Sequence, residues 1–305
     1  MKWEKQGLIY CPDGSVEWAR HTALQPTPLQ ISDDIIRVFL GFRDDDGVGR
    51  VGYVDVCADN PREVVQVSER PCLDIGVPGA FDENGVVPCA VVRRDNGIHL
   101  YYAGYQLGHK VRFIAFSGLA ISIDDGRTFQ RHSQVPVIDR SDGELLFRAI
   151  HSIMFDEGRW KVWYGAGSTF LTGTQKTLPC YNIRYMESDD GISFPRNGQV
   201  VIDTRESEHR VGRPYVVKMN DQYKMFFGAG SEKDPYRLAF ADSPDGINWT
   251  RKDDQLGMEF SDEGWDSQMM AYPAVVNCKN KVYMFYNGND YGRTGFGYAE
   301  LLEWQ

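Results

Sequence analysis

The sequence is short of several things, and each shortage excludes something. It has no run of about 18 consecutive apolar residues, so no helix long enough to cross a bilayer can be drawn in it. Met1-Lys2-Trp3-Glu4-Lys5 lacks the apolar core of a secretory leader, and a cytoplasmic chain is the expectation. Positive charge is in deficit. The 33 Lys and Arg stand against 43 Asp and Glu, a formal net charge of −10, which argues against nonspecific binding to nucleic acid or an anionic membrane. Cysteine is sparse and dispersed: Cys11, Cys57, Cys72, Cys89, Cys180 and Cys278 form no CxxC pair. They read as small buried side chains in a reducing compartment, with neither a disulfide framework nor a metal centre. Long helical periodicity is missing, as are a zinc motif and a nucleophile elbow. Gly165-Ala166-Gly167 follows an aromatic strand but opens no helix, so it is no dinucleotide fingerprint, and no cofactor is expected.

What is present is a repeat. A short aromatic run ending in Gly or Ala recurs as Val38-Phe39-Leu40-Gly41, Tyr101-Tyr102-Ala103-Gly104, Trp163-Tyr164-Gly165-Ala166, Phe226-Phe227-Gly228-Ala229 and Phe285-Tyr286-Asn287-Gly288. Successive copies are 63, 62, 63 and 59 residues apart. Upstream lies a β-branched run, such as Arg213-Pro214-Tyr215-Val216-Val217, and then a polar turn such as Asn220-Asp221 or Lys279-Asn280. That order reads as an antiparallel hairpin. Downstream, Ser122 to Phe129, Ser188 to Phe194 and Ser243 to Trp249 share a Ser, Asp, Gly and aromatic pattern. Its aspartates read as structural, bonding the backbone of their own turn. Four strands in each of five copies predict an all-β chain. It is a single domain over 1–305, a five-bladed β-propeller of four-stranded antiparallel blades. The last copy ends before an outer strand, and Trp3 to Ile9 supplies one, so the N-terminal strand is expected to close the last blade.

The aromatic-aromatic-Gly strands, the Ser-x-Asp-Gly turns and the lead-in segments Gly79-Ala80-Phe81-Asp82 and Gly264-Trp265-Asp266-Ser267 resemble the five-bladed propellers of the arabinanase/levansucrase/invertase superfamily. That group includes β-xylosidases, arabinanases, invertases and mannoside phosphorylases. The resemblance spans nearly the whole chain but lies in scaffold motifs, so it speaks to fold more than activity. It implies a base Asp on blade 1, a second Asp on blade 2 and an acid Glu on blade 3. Here the sequence departs from the pattern. Blade 1 has His21-Thr22-Ala23-Leu24-Gln25 with no carboxylate, blade 3 has Arg148 and His151, and only blade 2 keeps acids, in Asp82 and Glu83.

In a propeller the innermost strands face a central channel, so the residues at their starts are the site candidates. Glycoside chemistry needs two carboxyl groups flanking the sugar. Glu83, Glu208 and Asp266 come from different blades and are the candidate catalytic acids. His21, Gln25, Arg43, Asp82, Arg148, His151, Arg210, Arg213, Gln268 and Tyr272 are the candidate substrate-binding residues. Guanidinium groups grip carboxylate or phosphate with two prongs, which suits an anionic sugar. Plainer readings stand beside these. Asp82 and Asp266 could cap backbone groups, Asp44 to Asp46 could form a solvated hairpin tip, and each Arg could pair with a neighbouring acid, Arg210 with Glu208 for instance. Tyr105, Phe170 and Tyr291 lie beyond the repeated strands and offer a stacking rim. The leading expectation is a glycosidase-like enzyme, hydrolase or phosphorylase, acting on an anionic sugar or sugar conjugate. The alternatives are a noncatalytic propeller binding a glycan or a partner in polysaccharide assembly, and a transferase or lyase on the same scaffold.

Overall fold

The computed structural model describes residues 1–174 and 177–304, and the chain is almost entirely β. Antiparallel pairing divides the described strands into five successive sets. The N-terminal strand β1 (Lys2–Tyr10) stands apart from the order of the chain. Set I is β2 (His21–Gln30), β3 (Ile35–Arg43), β4 (Gly49–Cys57) and β5 (Val64–Val67). Set II is β6 (Val86–Arg94), β7 (Gly97–Leu107), β8 (Phe113–Ser122) and β9 (Gln130–Arg131). Set III is β10 (Phe147–Asp156), β11 (Arg159–Thr172), β12 (Thr177–Ser188) and β13 (Gln199–Ile202). Set IV is β14 (Glu208–Met219), β15 (Gln222–Ser231), β16 (Arg237–Ser243) and β17 (Thr250–Arg251). Set V is β18 (Ala271–Cys278), β19 (Lys281–Asn287) and β20 (Phe296–Glu303), completed by β1, which pairs antiparallel with β20.

The polar turns make the hairpins. Glu157-Gly158, Asn220-Asp221 and Lys279-Asn280 all have positive φ at both positions, the left-handed two-residue turn whose twist matches that of the strands it joins. The Ser-x-Asp-Gly turns are self-contained, as the pattern predicts. Asp190 accepts N–H bonds from Ile192 (2.8 Å) and Ser193 (2.7 Å), Asp245 does the same for Ile247 (2.8 Å) and Asn248 (2.7 Å), and Ser122 accepts from the Gly126 N–H (2.8 Å). These backbone bonds hold the Asp190 carboxyl down at about 2.

The aromatic pairs of the repeat have divided duties. The first member reaches sideways: Tyr101 OH donates to the Gly191 carbonyl (2.6 Å) and Trp163 Nε1 to the Gly246 carbonyl (2.8 Å), each in the following set. The second member reaches a buried carboxylate at the head of its own set. Tyr102 donates to Asp82 (3.0 Å), Tyr164 to Glu144 (2.9 Å) and Tyr286 to Asp266 (2.9 Å). A cation completes each corner: Arg131 on Asp82 (2.8 Å), Arg148 (2.5 Å) and Arg184 (3.0 Å) on Glu144, Lys5 on Asp266 (2.9 Å). The glycine that follows makes room for the lead-in segment. A Cβ on Gly104 would stand 2.5 Å from Asp82 and Phe81, and one on Gly288 would meet the Trp265 backbone and ring.

The sets are joined by apolar cores, one between each neighbouring pair. Ile36, Val38 and Leu40 of set I pack with Tyr283, Phe285 and Phe296 of set V, which closes the circuit. The other cores join I to II, II to III, III to IV and IV to V. Innermost strands follow the same order, with β18 returning to pack against β2. β1 therefore seals both a sheet edge and a core, because Trp3 is 8 % exposed and lies edge-on to Phe226. Removing residues 1–10 should cost stability out of proportion to its length, at least about 3 kcal/mol, by exposing large side chains worth about 1.5–3 kcal/mol each. Chemical denaturation of the truncated chain measures this, and an unchanged midpoint would contradict the closure.

Candidate functional site

Every innermost strand is interrupted at the same place. Pairing slips between Leu24 and Thr27, Pro88 and Ala90, Ile150 and Ser152, Gly212 and Tyr215, and Ala271 and Ala274. The residues put out of register are Gln25, Cys89, His151, Arg213 and Tyr272, with a proline following Gln25, Arg213 and Tyr272. A β-bulge bends its strand and re-aims a side chain, and proline is tolerated there because no ladder bond is lost. Gln25, Arg213 and Tyr272 also have φ of 56°, 56° and 58°. Left-handed backbone in residues other than glycine costs on the order of 1–3 kcal/mol each, a strain that proteins hold at functional sites.

Four of these bulge residues, Gln25, His151, Arg213 and Tyr272, line one cavity of about 470 Å³ to which all five sets contribute. Arg213 ties the bulges together. It is 2 % exposed, and one Nη donates to the Cys89 carbonyl (2.7 Å) while the other donates to the Pro26 carbonyl (3.0 Å) and Thr27 Oγ1 (2.9 Å). A longer contact reaches the His151 carbonyl (3.4 Å). One side chain of set IV thus binds sets I, II and III without any carboxylate. Burial works against its charge and lowers its pKa from the usual arginine value. The same burial, with the Arg213 charge beside it, pushes the His151 imidazole well below its ordinary pKa, so His151 is neutral near pH 7. Its Nδ1 is buried and has no partner among the described residues.

The wall is basic and aromatic. Arg43, Arg112 and Arg210 line it together with Tyr105, Phe113, Phe147, Tyr181, Tyr236 and Tyr291. Arg210 is 5 % exposed and is held by ring faces, 4.3 Å above Tyr236 and 5.8 Å from Tyr291. Among the described residues no ion pair involves Arg43, Arg112, Arg210 or Arg213, whereas Arg148 and Arg251 are paired. Asp290 is the one carboxylate among the described lining residues. Asp290 and Tyr291 stand on consecutive left-handed residues, φ 48° and 56°.

The candidate acids named from the sequence go elsewhere. Glu83 accepts the Gly79 N–H (2.7 Å) and a long bond from Gln106 (3.4 Å). Glu208 takes a two-pronged bond from Arg251 (2.9 and 2.6 Å), not from Arg210. Asp266 and Asp82 are fully buried in the Tyr-cation corners and bond side chains there; they cap no backbone group. None of the four lines the cavity. Each is drawn off by a donor closer in its own set or the next. Arg148 is likewise committed, to Glu144 (2.5 Å) and to the carbonyls of Asp139 and Arg196. His21 shares a hydrogen with Thr22 Oγ1 (2.8 Å), and Gln268 is exposed, its backbone N–H bonded to Asn289 (2.7 Å); neither faces the cavity. Gln25, Arg43, His151, Arg210, Arg213 and Tyr272 do line it. So do Tyr105 and Tyr291, while Phe170 stands behind the wall against Phe147 (5.2 Å) and Phe113 (5.5 Å). Arg112, Tyr181, Tyr236 and Asp290 lie outside the repeated strand starts. Only Tyr236 and Asp290, each shortly after an aromatic strand, carry a sequence signal that could have found them.

No family model matches the chain. Over 302 residues it is 34 % identical to "Uncharacterized protein Rv1502" of Mycobacterium tuberculosis strain H37Rv, the match covering 99 % of both chains. The chain belongs to the Rv1502 family. A second member, "Uncharacterized protein MT1551" of M. tuberculosis strain CDC 1551, is also 34 % identical with 99 % of both chains covered. Among solved structures the Rv1502-family fold is similar to a glycoside hydrolase, with a TM-score of 0.73, 20 % identity, and 97 % of this chain and 90 % of that one covered. It is similar to a thermostable family-43 glycoside hydrolase at TM-score 0.68 and 15 % identity, over 92 % and 88 % of the two chains. A structure reported under the GH130 family of mannoside phosphorylases gives 0.71 at 14 % identity, over 98 % and 93 %. These likenesses, at 20 % identity and below, show the fold alone.

Two measurements check this geometry. Arg213→Met should lower the unfolding free energy by about 3 kcal/mol or more, since several buried acceptors lose their donor at roughly 1–3 kcal/mol apiece. A loss below about 1 kcal/mol would mean that Arg213 does not tie the sets of this Rv1502-family fold together. The second concerns pH. A histidine held neutral in the fold takes up a proton on unfolding below about 6.5, so its stabilising contribution is present above that pH and is lost on acidification. His151→Asn should therefore flatten the fall in stability between pH 7.5 and pH 5; equal slopes would show that His151 is not held neutral.

Proposed function

We propose that the protein is a carbohydrate-active enzyme of glycosidase type, a hydrolase or a phosphorylase. Its substrate is an anionic sugar or sugar conjugate, held at the hub of a five-bladed propeller that spans 1–305 as one domain. The observation that carries this reading is the wall of the cavity: arginines without carboxylate partners, set among tyrosine and phenylalanine rings. Aromatic faces suit the C–H faces of a pyranose, and guanidinium groups supply the two-pronged grip on an acidic substituent. The glycoside hydrolases and mannoside phosphorylases among the structural neighbours support a sugar as ligand. Six unpaired cysteines suit a reducing compartment, and a cytoplasmic site of action is part of the proposal. Among the described residues no helix is long and apolar enough to cross a membrane.

The roles divide as follows. Asp290 is the proton donor or acceptor at the glycosidic oxygen. Gln25, neutral His151 and Tyr272 hydrogen-bond hydroxyl groups at the cavity floor. Arg43 and Arg210 hold the acidic group. Hydrolysis with two flanking carboxylates lacks its second member at this wall, whereas phosphorolysis needs one proton donor and brings its own charged nucleophile. The single carboxylate also favours a second reading, a noncatalytic propeller that binds an anionic glycan.

A panel of aryl glycosides, neutral and uronic, assayed with and without inorganic phosphate tests the proposal. An enzyme should turn over at least one acidic member, and Asp290→Asn should abolish turnover, at least about 100-fold, while leaving binding within a few-fold. Binding of acidic glycans with no turnover would select the noncatalytic reading. Binding of neutral glycosides as tight as that of their uronic counterparts would reject an anionic ligand.

A further inference from the structure

We propose that Arg210 is the centre of a phosphoryl-binding subsite in the cavity. The inference rests on the sugar-binding reading above and adds the chemical class of the acidic group and its place. Arg210 is a buried cation at 5 % exposure, and its Nε has no hydrogen-bond partner among the described residues. Its ring contacts, Tyr236 at 4.3 Å and Tyr291 at 5.8 Å, orient the guanidinium plane but accept none of its N–H bonds. A buried charge without a counter-ion costs several kcal/mol in a folded protein, so one that is retained in a cavity wall waits for a partner that arrives with the ligand. The surroundings are shaped to leave that guanidinium clear. A Cβ on Gly230 would come within 3.1 Å of Arg210 Nε, and Gly230 has none.

The choice of phosphoryl over carboxylate comes from the company Arg210 keeps. Arg43 at the end of β3 and Arg112 just before β8 line the same cavity from two other sets, also free of ion pairs among the described residues. A carboxylate is planar, carries one charge and is satisfied by one guanidinium fork. A phosphoryl group carries about −1.5 to −2 and spreads three acceptor oxygens in three directions. It is the ligand that several guanidiniums on separate walls can share. The opposing charge at the wall is Asp290 alone, so the cavity stays net positive inside an acidic protein. The phosphoryl group has two possible sources: free inorganic phosphate as a co-substrate, or a phosphate ester carried by the sugar.

Thermal unfolding of the full chain separates these outcomes. The probes are inorganic phosphate, glucose 1-phosphate, glucose 6-phosphate and glucuronate, on wild type, Arg210→Met and Arg210→Lys. Removing an uncompensated buried charge should leave ligand-free Arg210→Met as stable as wild type or more so, while the stabilisation by phosphoryl probes is lost. Titration should show affinity weakened at least about tenfold in Arg210→Met and partly kept in Arg210→Lys. Protection of wild type by inorganic phosphate alone identifies a free phosphate site. Protection by the hexose phosphates but not by inorganic phosphate identifies an ester on the sugar. If glucuronate protects as well as either, the phosphoryl assignment is overturned and the anionic-sugar reading stands. Failure of every probe on wild type overturns both. A ligand-free Arg210→Met clearly less stable than wild type would make Arg210 a structural residue and end the proposal.

Discussion

The hub depends on a cation bound by neutral groups. Arg213 takes carbonyl and hydroxyl acceptors from three other sets, and among the described residues no acid pairs with it to cancel its charge. A carboxylate would neutralise the guanidinium within one set. Carbonyls from separate strands instead make the charge a tie, because each acceptor gains most when the strands converge on the same side chain. The convergence is possible only because the strands bulge there. The bulges expose carbonyls that a regular ladder would have used, and they turn Gln25, His151 and Tyr272 towards the cavity above. Structural tie and ligand wall thus arise from one irregularity repeated around the fold. The charge of Arg213, with burial, also helps hold His151 neutral, which leaves one of its ring nitrogens unprotonated.

Much of the scaffold was legible in the residues. The aromatic pairs marked the central strands, the Asn, Asp and Gly turns marked the hairpins, and Trp3 to Ile9 announced the strand that completes the last set. Local chemistry governs all of these, which is why a short window suffices. The site was legible only in part. Reading the residues around the strand prolines found Gln25, Arg213 and Tyr272, because proline at a bulge leaves a local mark. The acids misled, and the reason is physical. Whether Asp82 or Glu208 faces a cavity depends on a competing donor 49 or 43 residues away, Arg131 or Arg251, and no local pattern encodes that contest. Asp290 was missed because it lies away from the strand starts, marked only by its place just after an aromatic strand.

The same contrast sorts the arginines. Arg131 and Arg251, away from the cavity wall, find carboxylates, and their charge is spent on architecture. Arg210 and Arg213 at the cavity are held by ring faces and by carbonyls instead, which fixes their position without quenching their field. An acidic protein of net charge −10 thereby keeps a positive interior where a ligand would sit.

The partnership of β1 with β20 has a further consequence for biogenesis. Of the described strands Lys2–Tyr10 is made first, and its partner Phe296–Glu303 is made last. Until then the edge hydrogen bonds of β1 have nowhere native to go, and the other four sets can assemble only as an open crescent. Closing a loop of nearly the whole chain is slow, and exposed strand edges invite association with other chains in the interval. The joint that covers β20 and closes the circuit of sets is thus also the point at which the nascent chain most needs shielding.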